Sequence, residues 1–256
     1  VTGIPGGMKR RLTEEERDSF LQQADDQLQW MTDTVNLALS VVERYWDVIA
    51  NFAVVPLHNM AIVKDGIHEV YEGDIVFSDP DGKRSVYKED QYHELISEHY
   101  TKKSYISHTY LKSIGYPNGT YIVGPLAMAN CIDSYGTPIA DGALKEMRSR
   151  IGTKMIHNQL AVHWARIIET VNALENMIKL LKDPEICSDN IKKKDMEPKE
   201  GRGIAITEAP RGPLIYDIRT DAQGITKKLN LIVSTNNNLG GINRVINHST
   251  KQIVEE

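Results

Sequence analysis

Cysteine is nearly absent: only Cys131 and Cys187 occur in 256 residues, and neither belongs to a Cys-x-x-Cys pair. That excludes a disulfide framework and leaves the chain without a thiolate cluster of its own. Both thiols read as buried small hydrophobes. Histidine is present but scattered, at positions 58, 68, 93, 99, 108, 157, 163 and 248, with no His-x-x-x-His pair. His93 and His99 are six apart and align poorly on one helix face, which argues against a zinc hydrolase. Gly6-Gly7 and Gly240-Gly241 make neither a Gly-x-Gly-x-x-Gly turn nor a Walker loop, and there is no Gly-x-Ser-x-Gly elbow. An excess of positive charge is lacking too. Thirty Lys and Arg face 35 Asp and Glu, a net charge of −5, which argues against a general nucleic-acid binder. No apolar run reaches the roughly 18 residues needed to span a membrane, and no signal peptide is visible. The composition is that of a soluble intracellular protein, long enough to bury a sizeable core.

What is present begins with helix signals. Thr13 and Glu16 form a Thr-x-x-Glu capping box. Apolar residues then alternate at three and four: Leu21, Ala24, Leu28, Met31, Val35, Ala38, Val42, Tyr45 and Ile49. This predicts one long helix over residues 13–50, on the order of 50 Å, with Leu37, Leu39 and Val41 burying its middle on further sides. A second long helix is predicted over 153–182, with the seam Leu160, Trp164, Ile167, Val171, Leu174, Ile178 and Leu181, ended by Asp183-Pro184. Matching seams suggest antiparallel packing in a bundle. Arg166 and Glu169, one turn apart, are either a buried polar pair or, as the usual exposure of such residues favours, a surface ion pair.

Between the helices the pattern changes. Residues 59–63, 67–71, 74–77 and 85–87 read as short strands of a β meander within 59–88. Lys64-Asp65-Gly66 and Asp79-Pro80-Asp81-Gly82 supply its turns. A short helix over 89–99 and a packed irregular loop over the Tyr-rich 104–121 follow; tyrosine enrichment leaves an interface there open. The run from Lys192 to Gly203 is charged and reads as a mobile surface loop. Ile242, Val245, Ile246, Ser249 and Ile253 predict a last amphipathic helix.

The densest information lies within residues 204–238. Glu208-Ala209-Pro210-Arg211-Gly212 is a polar corner, and Val233-Ser234-Thr235-Asn236-Asn237-Asn238 is another. Between them, residues 213–218 and 228–233 read as strands joined by the turn Asp221-Ala222-Gln223-Gly224. A hairpin sets its two far ends side by side, so Arg211 and Ser234 are expected to be neighbours. A guanidinium fork and a hydroxyl together suit a small anion.

This segment resembles the large subunit of nickel-iron hydrogenases, above all the cytoplasmic type that reduces nicotinamide or deazaflavin cofactors. The likeness extends to Thr2-Gly3-Ile4-Pro5-Gly6-Gly7 with Leu12-Thr13-Glu14-Glu15, to Val123-Gly124-Pro125-Leu126-Ala127 and to Thr137-Pro138-Ile139-Ala140, in order along nearly the whole chain. The resemblance implies that Arg211 stands over a bimetallic centre, that Pro210 lines a cyanide pocket and that Ser234 donates to a cyanide ligand. Val233 departs from the proline frequent in that family. The two Cys-x-x-Cys pairs that hold the metals, and the proton-relaying glutamate near the first of them, have no counterpart here. The expectation is therefore an internal fragment, cut on both sides, of a mainly α protein with small antiparallel β elements (α+β). It carries no metal ligands and binds no nickel-iron centre alone. The parent would carry a nickel-iron centre with cyanide and carbonyl ligands and split hydrogen reversibly in the cytoplasm. Electron-acceptor subunits and an iron-sulfur small subunit would be its partners. The alternative is a metal-free structural and quinone-binding subunit related to the respiratory complex, whose Glu-Ala-Pro corner is similar. Without its anion, Arg211 is expected to be hydrated, disordered or paired with an acid such as Glu208.

Overall fold

A computed structural model describes residues 3–4, 6–102, 104–193 and 197–255. Thr2 and Pro5 of the first glycine motif, and Lys194, Asp195 and Met196 of the charged run, lie outside the described residues. The elements, in order, are β1 (Gly3–Ile4), β2 (Gly7–Met8), α1 (Glu14–Gln22), α2 (Ala24–Arg44), α3 (Trp46–Asn51), β3 (His58–Lys64), β4 (Ile67–His68), β5 (Asp74–Ser78) and β6 (Arg84–Tyr87). Then come α4 (Tyr92–Leu95), β7 (Ile96–His99), β8 (His108–Leu111), β9 (Tyr121–Ile122), α5 (Pro125–Cys131), α6 (Pro138–Ile151) and α7 (Val162–Leu181). The last are β10 (Gly201–Thr207), β11 (Leu214–Thr220), β12 (Thr226–Ile232) and α8 (Ser234–Glu255). The fold is mixed α+β, with helices around small antiparallel sheets. Among the described residues no helix is long and apolar enough to cross a membrane.

The capping box forms as its residues dictate: Glu16 N donates to Thr13 Oγ1 at 3.2 Å, and Thr13 N donates to Glu16 Oε2 at 3.0 Å. The single long helix expected over 13–50 is instead three helices, interrupted at Gln23 and Tyr45. No proline or glycine marks either break. At Tyr45 the backbone leaves helical values (φ −113°, ψ 23°), and α3 then delivers its last carbonyls to a side chain. Asn158 Nδ2 donates to Ile49 O and Ala50 O, both at 3.0 Å. Ala24, Met31, Ala38 and Val42 are buried along the seam and Leu39 packs beside it, but Leu37 and Val41 face solvent.

The second helix starts at Val162 rather than near Thr153. The intervening chain is held non-helical by the buried Asn130, whose Oδ1 accepts from Ile156 N (2.9 Å) and whose Nδ2 donates to Ile156 O (3.0 Å). The C-terminal half of α2 and the start of α7 line one apolar groove, so the two helices run antiparallel.

The central sheet has the order β4-β3-β5-β6, antiparallel, with β9 added parallel to β3. On one face it packs against α5, every residue of which is buried. Trp164, Ile168 and Val171 of α7 complete that core. On the other face Met60, Ile62, Ile75 and Phe77 meet Ile206, Ile215 and Ile232 of the β10-β11-β12 sheet. The helix expected over 89–99 is helical only to Leu95, as a 3-10 turn (Glu89–Gln91) running into α4, and is followed by β7, which pairs with β8, so part of the loop expected over 104–121 is strand.

The hairpin expected over 204–238 is a three-stranded sheet. β10 pairs along its whole length with β11, from Gly201↔Thr220 to Thr207↔Leu214. Two glycines and Arg202 disguised this strand as loop. Arg202 is anchored by a bidentate bond to Asp217 (2.8 and 2.7 Å), which also accepts from Tyr92 OH at 2.6 Å. The final helix begins at Ser234, and only part of its expected apolar face turns inward: Val245 packs against the core and Ser249 Oγ is buried. Asn237, Gly240 and Gly241 are buried, whereas Ile242, Ile246 and Ile253 are exposed. The glycines let α8 lie directly on Thr120, Tyr121 and Ile122.

Candidate functional site

Three segments distant in sequence converge on Arg211. The first is the corner itself, closed by Gly212 N donating to Ala209 O at 2.8 Å. The second is the turn Val123-Gly124, which enters α5. Gly212 has φ 121°, and a Cβ there would stand 2.1 Å from Val123 Cγ2; Gly124 has φ 94°, and a Cβ there would stand 3.0 Å from Arg211 O. Both positions need glycine for conformation and for space. The third is the first turn of α8. Asn238 Nδ2 donates to Arg211 O (3.3 Å), while Asn238 Oδ1 accepts from Val123 N (2.8 Å), so one side chain joins all three.

Asn237 fixes the same turn from beneath. Its Oδ1 accepts from Tyr121 OH at 2.7 Å and from Thr109 Oγ1 at 3.2 Å, and its Nδ2 donates to Pro213 O at 3.2 Å. Asn236 Oδ1 accepts from Val233 N at 3.2 Å, capping the start of the helix. Ser234 therefore sits in the first turn of a helix, where backbone N–H groups and the helix dipole favour an anion, rather than in a polar turn.

Pro210 and Arg211 are exposed and Ser234 is half-buried. The β11-β12 register, with Ile215 opposite Ile232, puts Arg211 and Ser234 at the same end of that strand pair. Arg211 does not pair with Glu208. Among the described residues its guanidinium has no hydrogen bond or ion pair, and it lies open to solvent. Glu208 is buried, and its Oε2 accepts from Ile62 N at 2.9 Å. Burial pushes the Glu208 carboxyl well above the usual carboxylate range, with nearby Glu169 raising it further.

Arg166 and Glu169 form no ion pair with each other. Arg166 Nη1 donates to Pro210 O at 3.0 Å and so ties α7 to the corner. Glu169, mostly withdrawn from solvent, is pushed up to about 7 by burial, against a lowering by Arg166. Sequence reasoning singled out Arg211 and Ser234 but missed Asn236, Asn237 and Asn238 as the fasteners; the Asn triplet itself was the available signal.

Metal ligands are a separate matter from anion donors. Among the described residues no three His, Cys, Asp or Glu side chains cluster to hold a metal. Cys131 is buried in α5 with its Sγ 3.6 Å from Val76 O, and burial pushes its thiol up to about 12. Cys131 is therefore not a ready thiolate. Cys187 is buried beside the Asp183-Pro184 stop. The corner offers a cation and donors suited to a small anion, while the described residues offer no ligand set for a bimetallic centre. The first glycine motif lies elsewhere: Met8 N donates to Ile191 O at 2.8 Å, and Lys193 N to Gly6 O at 2.9 Å.

The family profile of nickel-dependent hydrogenases matches residues 31–250. The chain is 41% identical over 254 residues to a subunit of the vhu F420-non-reducing hydrogenase of Methanocaldococcus jannaschii, covering 99% of this chain and 60% of that protein. It is 30% identical to the beta subunit of the NAD-reducing hydrogenase HoxS of Cupriavidus necator, covering 54% of that protein. The solved structure of an NAD+-reducing [NiFe]-hydrogenase in the H2-reduced state superposes with a TM-score of 0.88 at 28% identity, over 95% of this chain and 54% of the other. A [NiFeSe]-hydrogenase from Dm. baculatum shares the fold alone, with a TM-score of 0.69 at 16% identity over 92% of this chain and 53% of that one. The chain thus spans between half and two thirds of the length of these relatives, and it belongs to the nickel-dependent hydrogenase family.

Proposed function

We propose that this chain is the part of a nickel-iron hydrogenase large subunit that supplies the charged wall of the active site, in a cytoplasmic enzyme that interconverts hydrogen with protons and electrons. The observation that carries the reading is the Arg211 corner: a free, exposed guanidinium on a backbone fixed by two glycines and an asparagine. An arginine held this way is preorganised for an anionic group that the described residues do not themselves supply.

The chain's own side chains have definite tasks. Arg211 presents positive charge and planar donors to an anionic ligand. Pro210 brings an apolar ring beside it, with its carbonyl pinned by Arg166. Ser234 adds a hydroxyl at the positive end of α8. These are orienting groups around a centre whose ligands lie outside the residues described. A bound nickel-iron centre would supply the cleavage of hydrogen. Electron-acceptor subunits and an iron-sulfur small subunit complete the proposed assembly.

The test is nickel and iron content, measured with hydrogen uptake, on the whole matured protein that contains this chain. Stoichiometric nickel with uptake supports the reading. Absence of both in a folded, matured sample contradicts it and favours a metal-free scaffold.

A further inference from the structure

The β7-β8 ribbon grips the first turn of α8 with polar side chains. In its antiparallel register Glu98 stands opposite Thr109, so the two share one face of the ribbon. Thr109 is fully buried, and its Oγ1 lies 3.2 Å from Asn237 Oδ1 and 3.3 Å from Asn236 O. Ser107, just before β8, is 2% exposed, and Glu98 is half-buried. Neither Glu98 nor Ser107 hydrogen-bonds to Arg211 or Ser234 among the described residues; they reach the site through Asn236.

Three bonds run in one direction. Glu98 Oε1 accepts from Ser107 Oγ at 2.5 Å, the range of a hydroxyl held by a carboxylate. A serine hydroxyl has a single proton. With that proton given to Glu98, Ser107 Oγ can only accept from Asn236, whose Nδ2 donates to it at 3.0 Å and reaches Ser107 O at 3.5 Å. The amide is thereby turned so that Oδ1 faces Val233 N, from which it accepts at 3.2 Å. Were the Ser107 proton aimed at Asn236 instead, the amide would turn over and set its NH2 against the Val233 N–H, donor against donor. Glu98 thus fixes the sense of every bond up to the residue before Ser234.

The bond to Val233 N is the backward half of a capping box. Val233 has no side-chain oxygen to supply the forward half. Among the described residues the N–H groups of Ser234, Thr235 and Asn236 therefore donate to no oxygen, and the turn is held without using the donors that favour an anion. We propose that Glu98 is a positioning residue for the corner: through Ser107 and Asn236 it sets the start of α8, and with it the place of Ser234 relative to Arg211, whose carbonyl Asn238 binds from the same turn. Glu98 touches no ligand, and no proton or electron moves along the chain. That Ser234 and Arg211 serve an anionic ligand rests on the hydrogenase reading; the directed hydrogen bonds do not.

The experiment has two arms. In the first, amide hydrogen exchange at Val233 is read by NMR in this chain. Glu98→Ala and Ser107→Ala are each expected to speed that exchange several-fold, and the double variant no further than either alone, because all act through one path. Glu98→Gln is expected to restore the slow rate, since its amide oxygen can still accept the Ser107 proton. Unchanged exchange in Glu98→Ala, additive effects in the double variant, or a Glu98→Gln as fast as Glu98→Ala overturns the proposal. If Ser107→Ala does not fold, the contrast between Glu98→Ala and Glu98→Gln decides. In the second arm, the whole matured protein carrying Glu98→Ala is compared with the wild type. Nickel content and KM for hydrogen are expected to stay, turnover to fall several-fold, and the infrared cyanide bands to shift; Glu98→Gln restores both. Unmoved bands and turnover in a nickel-loaded Glu98→Ala protein overturn the positioning role. A wild type without nickel or uptake sinks the hydrogenase reading instead, and coupled exchange at Val233 would then leave the chain of bonds standing.

Discussion

The helical arm α1–α3 and the arginine corner both present unpartnered side chains to solvent. On the arm these are apolar: Phe20, Trp30, Leu37, Val41, Tyr45 and Val48 are each about half exposed or more. Part of them line a groove of about 510 Å³ against Trp164 and Ile167 of α7. Their backbone is ordinary helix, so their exposure reflects only which face of the helix finds a partner. At the corner the free side chain is a cation, and its backbone is over-determined by Gly212, Gly124, Asn237 and Asn238. Exposure on the arm is incidental to local structure; at the corner the local structure is arranged to produce it. Substitutions should therefore separate the two regions by what they cost.

The largest expected effect is at the corner's backbone. Gly212→Ala places a methyl on Val123 in a conformation that side chains rarely adopt, and is expected to cost about 3 kcal/mol or more. Urea unfolding checks this; a loss below about 1 kcal/mol would show that the corner relaxes freely. Asn237→Ala comes next. It strands Tyr121 OH and Pro213 O in the interior, at a cost of about 2–3 kcal/mol by the same assay.

A third effect depends on pH. Glu169 has its folded value raised, by burial, from 4.5 to about 7. The folded state therefore holds the proton more tightly than the unfolded one. Its contribution is fully present below about pH 4.5 and is lost as pH rises through 7, by about 1–3 kcal/mol. Glu208 is shifted in the same direction. Stability of the wild type is expected to fall across that window more steeply than that of Glu169→Gln; parallel curves would contradict the assignment. The smallest effects are those of the exposed side chains themselves. Arg211→Ala and Leu37→Glu should each change stability by no more than about 0.5 kcal/mol. Leu37→Glu should also weaken any self-association seen by sedimentation.

What could be read from the residues divides along the same line. The Thr13–Glu16 box, the buried seam of α2 and the Asp221–Gly224 turn are local, and the chain writes them out directly. Asp221 Oδ1 accepts from Gln223 N and Ile225 N, as an Asx turn should. The break at Tyr45 was not legible, because no proline or glycine marks it, and the partner that takes up the carbonyls at the end of α3, Asn158, lies more than a hundred residues away. β10 was hidden because glycine and arginine are poor strand signals, and its pairing with β11 decided the matter. In α8 the apolar periodicity found only part of the inward face, Val245 and Ser249, because close packing through Gly240 and Gly241 leaves no hydropathy trace. At the site, Arg211 and Ser234 stood out as chemistry, while the convergence of Val123-Gly124 with them is tertiary and could not be counted from spacing.

The central claim is that Arg211 is held free by its backbone for an anion-bearing centre. The direct measurement is Arg211→Lys in the whole matured protein, with unfolding stability, nickel content and hydrogen uptake read on one preparation. The account predicts unchanged stability, retained nickel and uptake lower by at least about tenfold, because an ammonium cannot reproduce the planar fork. Uptake equal to that of the wild type, with nickel bound and the fold intact, would contradict it.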